Sequence, residues 1–270
     1  MRTKDKNLSI NRIKYLKREN AEKITIHFFR IFILALFIAL WEIAAKTNLI
    51  DSFLFSSPTR IVKTLGDLYI SGDLFNHVFT TLYETIIGFL IATLLGMLFA
   101  ILLWRFNALQ KIFEPNIIVL NALPKIALGP VIIIAFGAGT GAIIFMTVLV
   151  TIIVTTINML NGFIQTDKGK ILLLRSMGAN KTDILFRLVL PASLPSFVST
   201  LKVNVGLSWI GSIMGEYIVS RQGLGYLIVY GGQVLKLDLV MTSTVLLCVL
   251  AALMYVAVLL FEKLTVKRRK

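Results

Sequence analysis

The chain has 270 residues, of which 57% are hydrophobic and 16% charged, whereas a soluble domain carries about 25% charged residues. The apolar excess is too large for one globular core and lies in long blocks, which indicates an integral membrane protein. The formal net charge of +14 alone would suit a nucleic-acid partner. However, the basic residues lie at both ends and beside internal apolar blocks, so we predict a lipid bilayer and no nucleic acid as partner.

Cysteine and histidine are too few for disulfide or metal chemistry. Cys248 is the single cysteine, and His27 and His77 are the two histidines, far apart in the sequence. An intramolecular disulfide, a multi-cysteine metal site and a histidine-based catalytic cluster are therefore excluded. We expect this chain to bind no metal and no cofactor.

The apolar blocks predict the fold class. Residues 1–27 form a basic N-terminal tail, and the first apolar block, 28–45, is predicted to be an uncleaved anchor because no small-x-small cleavage site closes it. Five further blocks each offer roughly the 20 residues that a helix needs to cross the hydrocarbon core; they lie near 78–104, 117–136, 141–161, 197–219 and 241–262. The prediction is an all-α integral membrane protein of about six transmembrane helices, with a transmembrane domain over 28–262 and a basic tail over 263–270.

The third block, 117–136, is interrupted by Pro124, Lys125 and Pro130. Irregular backbone at membrane depth is tolerated where it lies against protein or a watery cavity rather than lipid. This block is therefore a candidate element lining a pathway, with a simple kinked helix as the alternative.

The distribution of Lys and Arg predicts the orientation. With the N-terminus inside, the inner segments, counting Arg30, hold 21 of the 28 Lys and Arg residues, as the positive-inside rule requires. We therefore expect both termini in the cytoplasm and the protein in the cell membrane. The 163–196 connection between the fourth and fifth spans would also be cytoplasmic.

Two short helices joined at a glycine are predicted within 163–196. Gly178 suits a left-handed helix end, a conformation that glycine adopts without a Cβ penalty. Asn180 is expected to cap the second helix, with Asp183 placed for a capping box, and Pro191 requires that helix to end or bend. Such a pair is either an amphipathic element on the membrane surface or a docking element for a soluble partner.

The segment Leu172–Pro191 resembles the cytoplasmic "EAA" loop of ABC importer permeases, whose pattern is E-A-A-x3-G-x9-I-x-L-P. Gly178 matches the glycine, Leu188 stands at the isoleucine position, and Leu190 with Pro191 matches the closing pair. At the start the sequence departs from the pattern, because three leucines at 172–174 replace Glu-Ala-Ala. This departure weakens any polar contact of the family's glutamate and leaves the glycine-hinged shape intact.

The resemblance covers about residues 50–262 and is closest to the sulfonate/nitrate/taurine permease group. It is carried, in order, by Ser57-Pro58-Thr59, Gly72-Asp73-Leu74, Ala122-Leu123-Pro124, Phe136-Gly137-Ala138-Gly139, Gly215-Glu216-Tyr217 and Gly223-Leu224-Gly225-Tyr226-Leu227-Ile228.

The resemblance implies a non-catalytic subunit that forms the pathway for a small solute of sulfonate, nitrate, taurine or vitamin-precursor type. Two copies would pair as a homodimer, two cytoplasmic ATPase subunits binding ATP and Mg would dock on the 165–190 loops, and an extracytoplasmic binding protein would deliver the solute. The expected coupling residues are Leu172, Leu174, Arg175, Met177, Gly178, Ala179, Asn180, Asp183, Leu188, Leu190 and Pro191. The sequence itself contains no G-x4-G-K-[ST] phosphate loop.

Polar residues inside the spans are candidates for the translocation pathway, since a charge at mid-membrane costs about 2.5–3.5 kcal/mol on insertion scales. By the predicted topology Glu84, Lys125 and Glu216 lie in the outer half. We predict that Lys125 and Glu216, with Pro124 and Trp209, face the pathway. The alternative places these charged groups near the lipid headgroups or pairs them with one another. Trp41 and Glu42, near the end of the first span, fit an anchor at the membrane interface better than a site.

Two other classes of function are considered. An intramembrane serine protease would use Ser208, but the spans hold no histidine near the membrane centre to serve as its base. A stand-alone secondary transporter would be built from inverted repeats. No persuasive similarity links residues 28–136 to 141–262, and a structured loop would then lack a partner.

Overall fold

The computed structural model describes residues 10–266, so the ends of the predicted basic tails, 1–9 and 267–270, lie outside the described residues. Two units are distinguished, residues 1–63 and 64–270, and each is described by itself. The first unit contains α1 (Ile10–Lys46), α2 (Ser52–Phe55) and the start of α3 (Pro58–Ser71).

A carboxylate ties the end of α1 to the start of α3. Glu42 accepts hydrogen bonds from the backbone N–H of Thr59, at 3.1 Å, and from the Thr59 hydroxyl. Lys46 forms an ion pair with Glu42, its Nζ 3.0 Å from Oε1. Glu42 therefore has a structural role at the end of the first span, in keeping with its prediction as an anchor rather than a site.

The described residues of the second unit form helices joined by short connections. In chain order it continues from α3 with α4 (Asp73–Arg105), α5 (Asn107–Ala122), a 3₁₀ turn (Lys125–Leu128), α6 (Gly129–Phe136), α7 (Thr140–Ile164), α8 (Lys168–Ser176), α9 (Lys181–Ile184), a π-helical turn (Leu185–Val189), α10 (Leu190–Ala192), α11 (Leu194–Val219), α12 (Leu224–Gln233) and α13 (Leu237–Val266).

The predicted spans are confirmed in order and position. Within residues 10–266, five helices are long and apolar enough to cross a membrane: α1 from Ile24, α4, α7, α11 and α13. The interrupted block forms a sixth candidate, α5 with α6, bent by 84° at the break. This element is longer than predicted because it begins at Asn107, where Gln110 and Glu114 hydrogen-bond each other one turn apart and extend the helix beyond the apolar run.

Small residues let α4, α7 and α11 pack closely. Gly88, Ala92, Gly96 and Ala100 recur every fourth residue on α4 and are buried. A Cβ built on Gly88 or Gly96 would lie within 2.6 Å of a threonine side-chain atom of α7. In a membrane, where helices gain little from the hydrophobic effect, such close backbone approach is a main source of association.

Hydroxyl and amide groups connect the same three helices. Asn204 of α11 donates to Thr93 Oγ1 of α4, at 3.0 Å, and accepts from Thr155 Oγ1 of α7, at 3.1 Å. The Thr85 and Ser212 hydroxyls lie 2.7 Å apart. These groups are buried yet paired, as the low dielectric of the interior requires.

We predict opposite effects of alanine at two glycines of α11. A Cβ on Gly211 would lie 2.6 Å from Thr147 Cα, whereas one on Gly206 meets nothing within 4 Å. Gly211→Ala should destabilise the fold by about 1–3 kcal/mol through overpacking, and Gly206→Ala should be neutral or stabilise it by up to about 1 kcal/mol through helix propensity. Thermal unfolding in detergent measures both, and equal effects would contradict the close-packing account.

Candidate functional site

The 163–196 connection begins with a capped helix that a glycine ends. Asp167 caps α8 by accepting from the backbone N–H groups of Gly169, at 2.8 Å, and Lys170, at 3.4 Å. Gly178 follows α8 with φ +86°, the left-handed conformation predicted from its position. The chain can therefore reverse between the two helices without backbone strain.

The predicted capping box at the second helix is confirmed. Asn180 Oδ1 accepts from the N–H of Asp183, at 2.9 Å, and Asp183 Oδ2 accepts from the N–H of Asn180, at 3.2 Å. Two backbone donors that a helix start leaves unpaired are thus satisfied, which fixes where α9 begins.

Pro191 bends the second helix without ending it. Proline has no N–H, so it cannot donate the usual bond to the carbonyl four residues earlier. The preceding turn, Leu185–Val189, is π-helical, with the N–H of Leu190 bonded to the carbonyl oxygen of Leu185. The chain continues through α10, and α11 then starts at Leu194.

The loop is anchored on one end of the bundle, which we call the loop end. Ile184, Leu185 and Val189 are buried in a cluster with Leu103 of α4 and Phe163 of α7. Lys181 Nζ donates to the carbonyl oxygen of Arg105, the last residue of α4, at 3.2 Å. The second short helix is therefore attached to the same helices that form the core.

Four large apolar side chains of the loop are exposed. Leu172 is 65% exposed, Leu173 60%, Met177 74% and Phe186 63%. We call these four residues the apolar face. Large exposed apolar residues on a loop that is otherwise packed on the bundle are typical of an interaction surface.

The predicted coupling residues divide into exposed and partly buried positions. Leu172, Arg175, Met177, Gly178 and Asn180 are exposed. The remaining six are partly buried: Leu174, Ala179, Asp183, Leu188, Leu190 and Pro191. Their role in coupling stays a prediction.

The four candidate pathway residues do not form one surface within the single chain. Trp209 and Glu216 are buried in the bundle, at 4% and 1% exposure. Pro124 is exposed and Lys125 partly exposed at the break between α5 and α6, where Lys125 Nζ donates to the carbonyl oxygen of Asn121, at 3.0 Å, and to its Oδ1, at 3.2 Å.

Two features were missed in the sequence. Leu173 and Phe186 belong to the apolar face but were absent from the predicted set; the signal was the substitution of leucines for Glu-Ala-Ala and a phenylalanine beside Arg187. The alternative that pairs the charged groups with one another did not single out Glu84 and Glu216, which are both buried at the end of the bundle opposite the loop end. Their proximity depends on the packing of α4 against α11, which sequence spacing does not specify.

Comparison with known proteins identifies relatives over most of the chain. Residues 92–270 match the family model described as "binding-protein-dependent transport system inner membrane component". A protein of Escherichia coli K12 named as an aliphatic sulfonates transport permease is 30% identical over 227 residues, covering 84% of this chain and 86% of that protein. The formylaminopyrimidine transport permease protein of Halalkalibacterium halodurans is 31% identical, covering 69% of this chain and 74% of its own length.

Solved structures share the fold. A chain of the MetNI methionine ABC transporter in an inward-facing conformation superposes with a TM-score of 0.60 at 22% sequence identity, covering 67% of this chain and 91% of that chain. At this identity the similarity concerns the fold.

We predict that the left-handed conformation at Gly178 limits substitution there. A Cβ on Gly178 would meet no neighbour, so only the backbone conformation is affected. Gly178→Ala should destabilise the turn by about 1–2 kcal/mol, and Gly178→Asn by less, because asparagine tolerates this conformation. Amide hydrogen exchange over 172–184 measures the effect; equal protection in all three proteins would show that the turn does not depend on glycine.

Proposed function

The chain belongs to the family of binding-protein-dependent transport system inner membrane components, and from that premise we propose how it works as a permease subunit. It is the multi-pass membrane subunit of an ABC importer, in a family of non-catalytic transport subunits. We propose that it couples to a separate cytoplasmic ATPase through the 165–190 loop. The observation that carries the proposal is the apolar face, exposed on a loop that is firmly attached to the core helices.

The division of the loop into buried and exposed apolar residues supports docking over attachment to the membrane surface. The buried side of the loop already packs on α4 and α7 through Ile184, Leu185 and Val189. Leu172, Leu173, Met177 and Phe186 remain free for a second surface, in the way that an amphipathic helix occupies a groove. With three leucines in place of Glu-Ala-Ala, the contact would rest on apolar burial rather than on a carboxylate.

The remaining assignments follow from this docking. The loop end would face the cytoplasm, with both termini on that side, and the partner ATPase would bind ATP and Mg and carry out the hydrolysis. Within the proposal the transmembrane domain is 28–262, flanked by basic tails at 1–27 and 263–270. An extracytoplasmic binding protein would deliver the solute at the opposite end.

A second copy of the chain would complete the pathway. In the single chain α5 has no buried residue, although Asn116 and Asn121 lie on it. Exposing these amides and the following Lys125 to lipid is costly, so protein or a watery cavity should cover them. We therefore propose that α5 and the break at Pro124 and Lys125 line a pathway between two copies.

The solute is proposed to be a small organic compound of the sulfonate or vitamin-precursor type. Relatives are named for aliphatic sulfonates, taurine and formylaminopyrimidine. Among the described residues Lys125 forms no ion pair. An unpaired cation at the break between α5 and α6 would favour binding of an anionic solute there. A cation held only by amide and carbonyl oxygens has hydrogen-bonding capacity left for a sulfonate.

The docking proposal predicts that a charge on the apolar face removes the ATPase. The tagged chain is purified from membranes in mild detergent, and a copurifying protein with a P-loop ATPase sequence is quantified by mass spectrometry. Leu173→Asp should reduce its yield by about tenfold or more, since the burial of one leucine is worth about 1.5–3 kcal/mol before the cost of burying a charge. Ile70→Asp is the matched control, because Ile70 is 83% exposed on α3, away from the loop.

The same preparation tests the apolar character of the contact. A complex held by apolar burial should survive about 0.5 M NaCl, where surface ion pairs are screened. Absence of an ATPase from the unmodified preparation, or equal loss in both variants, would contradict docking and favour a stand-alone secondary transporter.

A further inference from the structure

Two carboxyl groups meet inside the bundle at the end opposite the loop end. Glu84 on α4 and Glu216 on α11 are each 1% exposed, and their side chains are within hydrogen-bonding reach of each other. Two ionised carboxylates in contact at such a buried position would repel each other and lose their hydration.

The hydrogen bonds around the pair leave one oxygen of each group without a donor. Glu216 Oε2 accepts from the backbone N–H of Gly225, at 2.5 Å, and the Thr140 side chain hydrogen-bonds Glu84. Glu84 Oε2 and Glu216 Oε1 are buried and have no partner among the described residues. Buried polar atoms are almost always paired, so these two require an explanation.

The first turn of α12 is built around the Glu216 carboxyl group. A Cβ on Gly223 or Gly225 would collide with that group, so both positions require glycine. Leu224 N–H donates to Thr81 Oγ1, at 2.8 Å, and Gly223 N–H donates to His77 Nδ1, at 3.0 Å. Three successive backbone donors, from Gly223 just before α12 and from Leu224 and Gly225 in its first turn, are thus held by α4 and by Glu216.

We propose that Glu84 and Glu216 bind a single proton between them and that this shared proton holds the start of α12 against α4. A proton on one carboxyl group turns an unpaired acceptor into a donor for the other, which satisfies both orphaned oxygens and leaves one negative charge. That charge is stabilised by the N–H of Gly225 at the N-terminus of the ten-residue helix α12.

A proton fits the site better than a metal ion. Within the described residues no group of three or more His, Cys, Asp or Glu side chains could hold a metal. The N–H of Gly225 donates a hydrogen bond to the Glu216 carboxyl group, and an N–H group cannot be a ligand of a cation. Calcium needs six or more oxygen ligands. A small monovalent cation is the competing occupant that the experiment must distinguish.

Other titratable groups lie on the helices packed around the pair. His77 accepts from Gly223 through Nδ1, which requires a neutral imidazole, so its protonation would weaken the start of α12 at low pH. α6 and α7 carry no titratable side chain. The remaining titratable and charged groups on these helices are Asp73, Tyr83 and Arg105 on α4, Lys202 and Tyr217 on α11, Tyr226 and Tyr230 on α12, and Asp238, Cys248, Tyr255, Glu262 and Lys263 on α13. Tyrosine and cysteine side chains also lose protons as the pH rises, so loss of the shared proton is distinguished from their titration by its dependence on both glutamates.

The test compares the purified chain with Glu84→Gln, which replaces the shared proton with a permanent amide donor. Glu114→Gln is the matched control: it makes the same Glu-to-Gln change outside the carboxyl pair, at a glutamate of α5 that is hydrogen-bonded to Gln110. Hydrogen–deuterium exchange is followed over 223–227 between about pH 6 and pH 9.5, corrected for the intrinsic rate, with melting temperature as a second measurement. In the unmodified chain and in Glu114→Gln, protection should fall about tenfold as the pH rises; in Glu84→Gln it should stay constant.

Either of two results would overturn the proposal. Protection that is independent of pH in the unmodified chain, or that falls equally in Glu84→Gln, shows that no proton is shared. A cation site would instead give protection that depends on sodium at constant ionic strength and is lost in Glu84→Gln at every pH. The measurement needs no ATPase, so its outcome is independent of the docking proposal.

Discussion

Close contact of α4, α7 and α11 is the constraint on which the rest of the second unit depends. In lipid these helices gain little from burying apolar side chains, so small residues and paired hydroxyls must hold them together. A Cβ at Gly211 would meet the backbone of α7 at Thr147, which shows how little space separates the helices. The loop at one end and the carboxyl pair at the other are positioned by this contact.

Polar residues of these helices that could have been read as catalytic instead form hydrogen bonds within the bundle. Ser208 is buried and its Oγ lies 3.4 Å from Thr151 Oγ1, so it connects α11 to α7. His77 of α4 accepts a hydrogen bond from the backbone N–H of Gly223, just before α12. Along α11 the residues Thr200, Asn204, Ser208, Ser212 and Glu216 recur every fourth position and are all buried, as expected for one stripe of a helix.

Local features were predictable from the sequence, and contacts between distant segments were not. The lengths of the apolar blocks predicted the spans. The residue types at neighbouring positions predicted the turn at Gly178 and the capping box of Asn180 with Asp183. The 84° bend between α5 and α6 and the π-helical turn before Pro191 depend on how the chain satisfies backbone groups against its neighbours. The meeting of Glu84 with Glu216, 132 positions along the chain, likewise depends on helix packing.

Site-specific photo-crosslinking in intact membranes tests the docking of the loop most directly. A photoreactive amino acid is placed at Met177, which is 74% exposed on the apolar face, and separately at Ile134, which is 86% exposed on α6. The account predicts a crosslink from position 177 to a P-loop ATPase, identified by mass spectrometry, and none from position 134. A crosslink from position 177 to lipid alone, or equal capture of the ATPase at both positions, would contradict it.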